Sequence, residues 1–464
     1  VLLQVVTGSV SLYDTFLMEA KTAKEICLEI CLASLEAVRP VRLVRDALHL
    51  EGGILDAGPC RFSLRGEALD NIFVVGAGKA SASMALPVED CLGERISAGC
   101  VVTPYEYGER LQRIRVCEGG HPVPDEAGGA AAAEILRLAE AAGPDDLLLC
   151  LFSGGGSALL CLPAEGITLE DKKEVTRQLL ACGASIAEVN AVRKHLSAVK
   201  GGLLARAAFP ARVVTLLISD VVGDRIDTIA SGPTAPDRTT FADCLSIADR
   251  YSLRKTLPGA VSRRLERGAA GDIEETPKED APGGLFRRVT NLVIGNNRMA
   301  LEASRRQALE LGCSASILEP PLEGEARQCG RLLIRRALAL KEGIRPGEKA
   351  CLLAGGETTV TVRGKGSGGR NQELVLAAAM EIEGVEGLAI ASFGTDGKDG
   401  VTDAAGAAAD GETCRAARRK GLSPEAYLGR NDSHSFFSAV GGLIRTGPTR
   451  TNVMDVAAAV ILGG

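Results

Sequence analysis

Short, almost wholly apolar runs recur along the chain, each separated from the next by amphipathic stretches. Residues 72–75, 147–152, 212–218, 292–294, 351–354, 388–393 and 456–462 are such runs, and 98–103 is strand-like too. Runs without polar alternation suit strands of a parallel sheet covered on both faces. Residues 24–48 place apolar side chains at helical spacing and predict one amphipathic helix. Thr168 with Asp171 forms a capping-box signature for a helix through Leu180. The segment Gly119-Gly120-His121-Pro122-Val123-Pro124-Asp125 must be a loop, because proline suits neither helix interior nor sheet ladder. Strand-then-helix order predicts the α/β class. Residues 267–284 shift to Gly, Pro, Asp and Glu and read as an exposed loop near a domain boundary. A second α/β set starts at Val289, includes a hairpin near 350–363 and ends in the strand 456–462.

Five of the apolar runs end in glycine-rich turns. They are Val75-Gly76-Ala77-Gly78-Lys79, Ser153-Gly154-Gly155-Gly156-Ser157, Ile294-Gly295-Asn296-Asn297-Arg298, Ala354-Gly355-Gly356-Glu357-Thr358 and Phe393-Gly394-Thr395-Asp396-Gly397. Ligands of open α/β sheets bind beyond the carboxyl ends of the strands. Glycine there exposes backbone N–H groups to an approaching phosphate. Five such turns, bearing Lys, Ser, Asn, Glu and Asp, point to an anion-handling cleft.

At 464 residues the chain is too long for one ordinary core, so two or three domains are expected. Aromatics are only 3%, without Trp, and the net charge is −6, which argues against nucleic acid as a partner. No apolar run reaches the roughly 18 residues that span a bilayer, so no membrane partner is expected. The 14 cysteines include no Cys-x-x-Cys and read as small buried hydrophobes in a reducing compartment. A cytoplasmic location is expected, with a mitochondrial one left open. The sequence begins at Val1 and not at Met, so its start is silent on targeting, and residues 1–20 show no clear period. Oligomeric state is not legible.

Standard catalytic motifs fail. A P-loop would need Gly at 73 and Ser or Thr at 80, where Phe73 and Ala80 stand. Gly76-Ala77-Gly78 half-matches the dinucleotide fingerprint, but Ser81 replaces its third glycine. Charge chemistry remains. Lys79, after a glycine turn, reads equally as a phosphate-pairing cation or a solvated lysine at a helix start. Arg370 follows Gly364-Lys365-Gly366-Ser367-Gly368-Gly369, whose glycines read as a mobile or ligand-wrapping loop with no packing use. Its guanidinium offers a planar fork for phosphate or carboxylate. Asp220 and Asp396 close strands and are candidate Mg²⁺ ligands or a base; Asp399 and Asp403 are as readily turn formers. Arg193, Lys194 and Lys200 flank His195 and either hold a carboxylate or make a solvated basic face. His121 is either loop packing or a site residue.

The ordered set of motifs resembles the glycerate 2-kinase family, long labelled hydroxypyruvate reductase, with its C-terminal MOFRL domain. Besides the turns at 74–80 and 153–160, it rests on Gly120–Asp125, Asn190–Gly202, Ser231–Thr234, Gly295-Asn296-Asn297, Gly368–Glu373, Gly394–Gly397, Asn431-Asp432-Ser433 and Thr446–Asp455. The resemblance implies two α/β domains, with largely parallel or mixed sheets flanked by helices, around a deep cleft. It divides the chain into an unmatched segment 1–22, a Rossmann-like domain 23–266, the loop 267–285 and a MOFRL-type domain 286–464. It implies ATP- and Mg²⁺-dependent phosphorylation of D-glycerate at its 2-hydroxyl, with Lys79 and Arg370 as active-site cations. On that expectation Gly76, Gly78, Ser153, Gly154, Gly155, Gly156, Ser157, Asn296 and Glu357 bind the nucleotide phosphates. Asp220 acts as base, Asp220 or Asp396 holds Mg²⁺, and Arg193, Lys200 and His121 take the substrate. The alternative is an NAD(P)H-dependent hydroxypyruvate reductase, which the partial Gly76-x-Gly78 signal would serve.

Overall fold

The computed structural model describes residues 21–64 and 69–464. Residues 1–20 of the unmatched segment lie outside it. Six parallel strands form the first large sheet, in the order Ile114–Gly119, Ile96–Pro104, Ile72–Ala77, Leu147–Ser153, Arg212–Ile218, Val289–Gly295. In chain order this is 3-2-1-4-5-6, the doubly wound arrangement. Leu147–Ser153 is buried at every position, as its uninterrupted apolar run requires. Leu147, Leu149 and Leu151 pack on one face with the helices Pro40–Ala47 and Ser81–Leu92. Leu148, Cys150 and Phe152 pack on the other with Glu126–Glu140 and Leu203–Ala208.

Chain order reverses between the strands Ile72–Ala77 and Leu147–Ser153, and a crevice opens at their carboxyl ends. The turns 78–79 and 154–157 emerge there. A helical cap of Leu169–Ala181, Ile186–His195, Phe241–Arg250 and Gly259–Ala269 closes around Phe241, Val189 and Leu265. The Thr168–Asp171 capping box is formed.

A mixed sheet makes the second layer, ordered Cys313–Ile317, Lys349–Thr359, Asp455–Leu462, Leu388–Gly394, Gly406–Asp410, Leu443–Ile444, with Leu322–Glu325 beside Lys349–Thr359. Helices Ala326–Lys341 and Arg370–Glu381 cover one face. Helices Ala23–Ala37 and Asn297–Glu310 cover the other. A small antiparallel sheet, Leu48–Glu51, Ile54–Ala57 and Cys60–Ser63, sits beside the first.

Several elements depart from the sequence reading. The helix expected over 24–48 breaks into Ala23–Ala37 and Pro40–Ala47, because Pro40 opens a new first turn. The expected hairpin near 350–363 is one strand, Lys349–Thr359, since its polar end is paired with Leu322–Glu325. The division into 23–266 and 286–464 does not follow the packing. Ala23–Ala37 lies on the second sheet, with Cys27 Sγ on the Ala458 carbonyl at 3.1 Å. Val289–Gly295 completes the first sheet. Nor is 267–285 simply an exposed loop. Residues 267–269 end a helix, Thr276 is buried, and Glu275 accepts hydrogen bonds from His195 Nε2 at 3.1 Å and the Phe241 amide at 2.9 Å.

Candidate active site

The two halves meet around a cavity of about 940 Å³, lined from the first half by Lys79, Tyr107 and His121 and from the second by Glu357, Arg370, Asp396, Lys398 and Asn452. Lys79 leaves the first strand's terminal turn. Its amide donates to the Gly154 carbonyl at 2.8 Å, which locks the two glycine turns together. Lys79 Nζ donates to Asp396 Oδ2 at 2.6 Å, with both side chains under one-fifth exposed. Asp396 stands just past Leu388–Gly394, so the pair bridges the two halves.

Arg370 opens the helix Arg370–Glu381. The Asp399 carboxylate caps that helix, accepting the amides of Asn371 at 3.0 Å and Gln372 at 2.8 Å. Asp399 thus serves as the cap of this helix while also lining the cleft. Asp455, at the head of the central strand, grips Arg370 through Nε at 2.6 Å and Nη2 at 2.9 Å. Glu357 takes the remaining Nη1 at 2.5 Å. Burial opposes the charge on Arg370, but Asp455 and Glu357 outweigh it and hold the guanidinium charged.

Asp220 ends the segment after Arg212–Ile218, and its Oδ2 accepts from Asn452 Nδ2 at 3.0 Å. Asp220 is not itself among the cleft-lining residues; burial behind Gly154 and the cleft-lining Asn452 lifts its carboxyl to about 6, Lys79 opposes the shift, and Glu357 and Asp396 add to it. His121 lies against Gly155. A side chain there would press on the His121 ring at 3.1 Å and on Lys79 Cγ at 3.4 Å, and the backbone is left-handed (φ +83°), so glycine is required twice over. Burial, then the Lys79 charge, pushes the His121 imidazole down to about 4.

Residues 26–266 match a family described as a domain of unknown function, DUF4147, and residues 350–455 match the MOFRL family. The chain is 43% identical to the glycerate 2-kinase of Pyrococcus horikoshii, over 96% of this chain and 98% of that one. It is 40% identical to the D-glycerate 2-kinase of Thermotoga maritima, over 96% of this chain and 100% of the other. The crystal structure of Thermotoga maritima glycerate kinase matches with a TM-score of 0.82 at 40% identity, covering 95% of this chain and 99% of that one. The chain belongs to the glycerate 2-kinase family.

Within this glycerate 2-kinase fold, several residues expected at the phosphates do other work. Gly76 is buried inside its strand, where a Cβ would meet the Leu151 carbonyl at 2.5 Å. Gly78 is buried against Ser153, and Ser153 Oγ accepts the Ala80 amide at 2.9 Å, so both clip the turns together. Gly156 makes room for Ala230. Asn296 is not among the cleft-lining residues. It caps the helix Asn297–Glu310 and donates to Asp224 Oδ2 at 2.6 Å. Gly154 remains at the site, packed against Asp220 and Asn452. Ser157 turns away from the cleft, its Oγ 2.8 Å from Ser231 Oγ.

Nor do Arg193 and Lys200 line the cleft. Both belong to a separate buried cluster with Lys172. The four glycines before Arg370 are packed, not free: a Cβ at Gly364 would overlap the Arg430 carbonyl, and one at Gly369 would overlap Asp399. Sequence reasoning gave no role to Asp455 or Asn452. Asp455 carried a signal, an acid opening an otherwise apolar strand.

Among the described residues no group of three or more His, Cys, Asp and Glu side chains could hold a metal by itself. Asp220 and Asp396 nevertheless share one electrostatic neighbourhood with Lys79. Mg²⁺ typically takes one or two carboxylates and completes its octahedron with phosphates and water. These two residues fit an ion that arrives with a nucleotide.

Proposed function

We propose that this chain transfers the γ-phosphoryl group of ATP to the 2-hydroxyl of D-glycerate, giving 2-phospho-D-glycerate. The observation that carries this reading is the convergence of Lys79 and Arg370, from opposite halves, on one cleft, with Asp220 beside it in the field of Lys79, Glu357 and Asp396. Phosphoryl transfer asks mainly for positioning and electrostatic stabilisation, and two facing cations supply both.

Each cation is pre-set by a carboxylate. Asp455 holds Nε and Nη2 of Arg370, which leaves Nη1 to exchange Glu357 for a phosphate oxygen. Lys79 exchanges Asp396 in the same way, and Asp396 is then free to act as a Mg²⁺ ligand. Mg²⁺, when bound with ATP, neutralises charge on the phosphates. Asp220 accepts the proton of the acceptor hydroxyl, a role suited to a carboxylate lifted toward neutrality. His121 is neutral and offers a hydrogen bond without a competing charge.

Incubation with D-glycerate, ATP and Mg²⁺, followed by ³¹P NMR, should show 2-phosphoglycerate. Consumption of NADH with hydroxypyruvate, and no phosphoryl transfer, would overturn the reading. Arg370→Ala should lower turnover by about 10³–10⁵, the loss expected for an arginine that stabilises a transferring phosphoryl group. Near-normal turnover in that variant would remove Arg370 from the mechanism.

A further inference from the structure

Among the described residues, three lysine and arginine side chains line the cleft: Lys79, Arg370 and Lys398. Two are matched by carboxylates, Lys79 by Asp396 and Arg370 by Asp455 and Glu357. Lys398 is the exception. It is exposed, and its side chain makes no hydrogen bond or ion pair among the described residues. Its backbone is nevertheless fixed. The Lys398 amide donates to Asp396 Oδ1 at 3.0 Å, and the preceding Gly397, left-handed at φ +84°, is packed against the Gly447 carbonyl. From there Nζ reaches the opposite half and lies 5.7 Å from the centroid of the Tyr107 ring. A cation over an aromatic face is held in place without being neutralised.

Tyr107 completes the spot. Its side chain is buried, and its hydroxyl makes no hydrogen bond among the described residues. Burial and then the Asp396 charge push the phenol up, so it stays protonated and can donate. Lys398 also acts on His121, together with Lys79 and Asp396, which puts all four in one electrostatic neighbourhood. Asp396 is the link to the transfer chemistry. It pairs with Lys79, anchors the Lys398 amide, and its field reaches Asp220. A 2-hydroxy acid carries its carboxylate on the carbon next to its hydroxyl, so the two ends need neighbouring groups of different kinds. Charge decides which anion fits beside Tyr107. One cation with a neutral phenol and a neutral imidazole matches the single charge of a carboxylate. The polyphosphate carries several charges and meets Lys79 and Arg370.

We propose that Lys398, with the Tyr107 hydroxyl, holds the carboxylate of the acceptor and so selects a hydroxy acid over a neutral alcohol. The proposal rests on the kinase reading and adds to it the residues that orient the acceptor. A phosphate oxygen would satisfy the same donors, so the test separates the two sources.

Lys398→Met keeps the side chain's stem and removes its charge. It should raise KM for D-glycerate about 10-fold, the loss of one charge-assisted hydrogen bond, and leave KM for ATP unchanged. Lys398→Arg, which keeps the charge, should restore most of that affinity. Tyr107→Phe keeps the ring beneath Lys398 and removes only the hydroxyl; it should raise the same KM about fivefold. Thermal unfolding of the full chain, without nucleotide, should shift upward with D-glycerate but not with glycerol, and Lys398→Met should lose that shift. Unchanged KM for D-glycerate in both Lys398→Met and Tyr107→Phe would overturn the proposal. A rise in KM for ATP instead would assign Lys398 to nucleotide phosphate and overturn it as well. Unmodified protein that forms no phosphorylated product, yet shows a D-glycerate shift that Lys398→Met loses, fails the kinase reading alone, because the carboxylate still binds at Lys398.

Discussion

Arg370, Lys79 and His121 show how far a residue's neighbours set its chemistry. A guanidinium beside one carboxylate is an ion pair; one held at Nε and Nη2, with Nη1 on an exchangeable Glu357, is an oriented tool. His121 makes a sharper prediction. Burial and the Lys79 charge both disfavour its protonated form, so the ring should gain a proton only as pH falls through about 4. Histidine-selective NMR should find one such ring, absent in His121→Gln. Lys79→Met should move the midpoint up toward the ordinary value near 6.5. A ring titrating near 6.5 in the unmodified protein would mean that His121 does not share a buried site with Lys79. The strand-end position made Lys79, Asp220, Glu357 and Asp396 legible as candidates. Their partners were not legible, because Asp396 lies 317 residues beyond Lys79 and Asn452 lies 232 residues beyond Asp220.

At the scale of elements, local chemistry is followed closely where local forces dominate. The S/T-x-x-D/E signature at Thr168 forms its box, as do the same signatures at Thr22, Ser185 and Thr240. The glycine loop before Arg370 is the counterexample. Glycines at 364, 366, 368 and 369 read as freedom, yet each lies where a side chain would strike a neighbour: Arg430, Asp432, Ser433 and Asp399 respectively. Gly364→Ala should therefore lower stability by about 1–3 kcal/mol, as overpacking does, measured by chemical denaturation. A flexible loop would show no such loss, so unchanged stability would restore the reading as a mobile wrap. The packed loop also fixes where helix Arg370–Glu381 begins, and with it the origin of the arginine.

On the scale of the whole molecule, the two layers are interlaced and not strung in series. The helix Ala23–Ala37 seals the far sheet, with Ser304 Oγ donating to the Ile30 carbonyl at 2.9 Å, while the late strand Val289–Gly295 completes the near one. Lys79–Asp396, Asn452–Asp220 and Arg450–Glu109 tie the halves across the cleft. A chain starting at Arg39 should lose hydrogen-exchange protection in Asp455–Leu462 and Leu388–Gly394 and keep it in Leu147–Ser153. The reverse pattern would mean that the helix stabilises the near sheet, as its place in the sequence suggests.

What the sequence determined by itself is the class of fold and the places where chemistry could stand. Short apolar runs ending in glycine suit strands buried on two faces, and the glycines mark where a backbone may be approached. Those are local properties, carried by a few adjacent residues. Tertiary structure alone decided which sheet each strand joins, which glycines serve packing, and which acid holds which base. The physical reason is that strand pairing and buried ion pairs depend on contacts between distant segments, whose energies no local window contains. Lys200 shows the difference most plainly: in the sequence it is one lysine of a basic stretch, and in the fold its amino group is buried with no hydrogen-bond partner among the described residues.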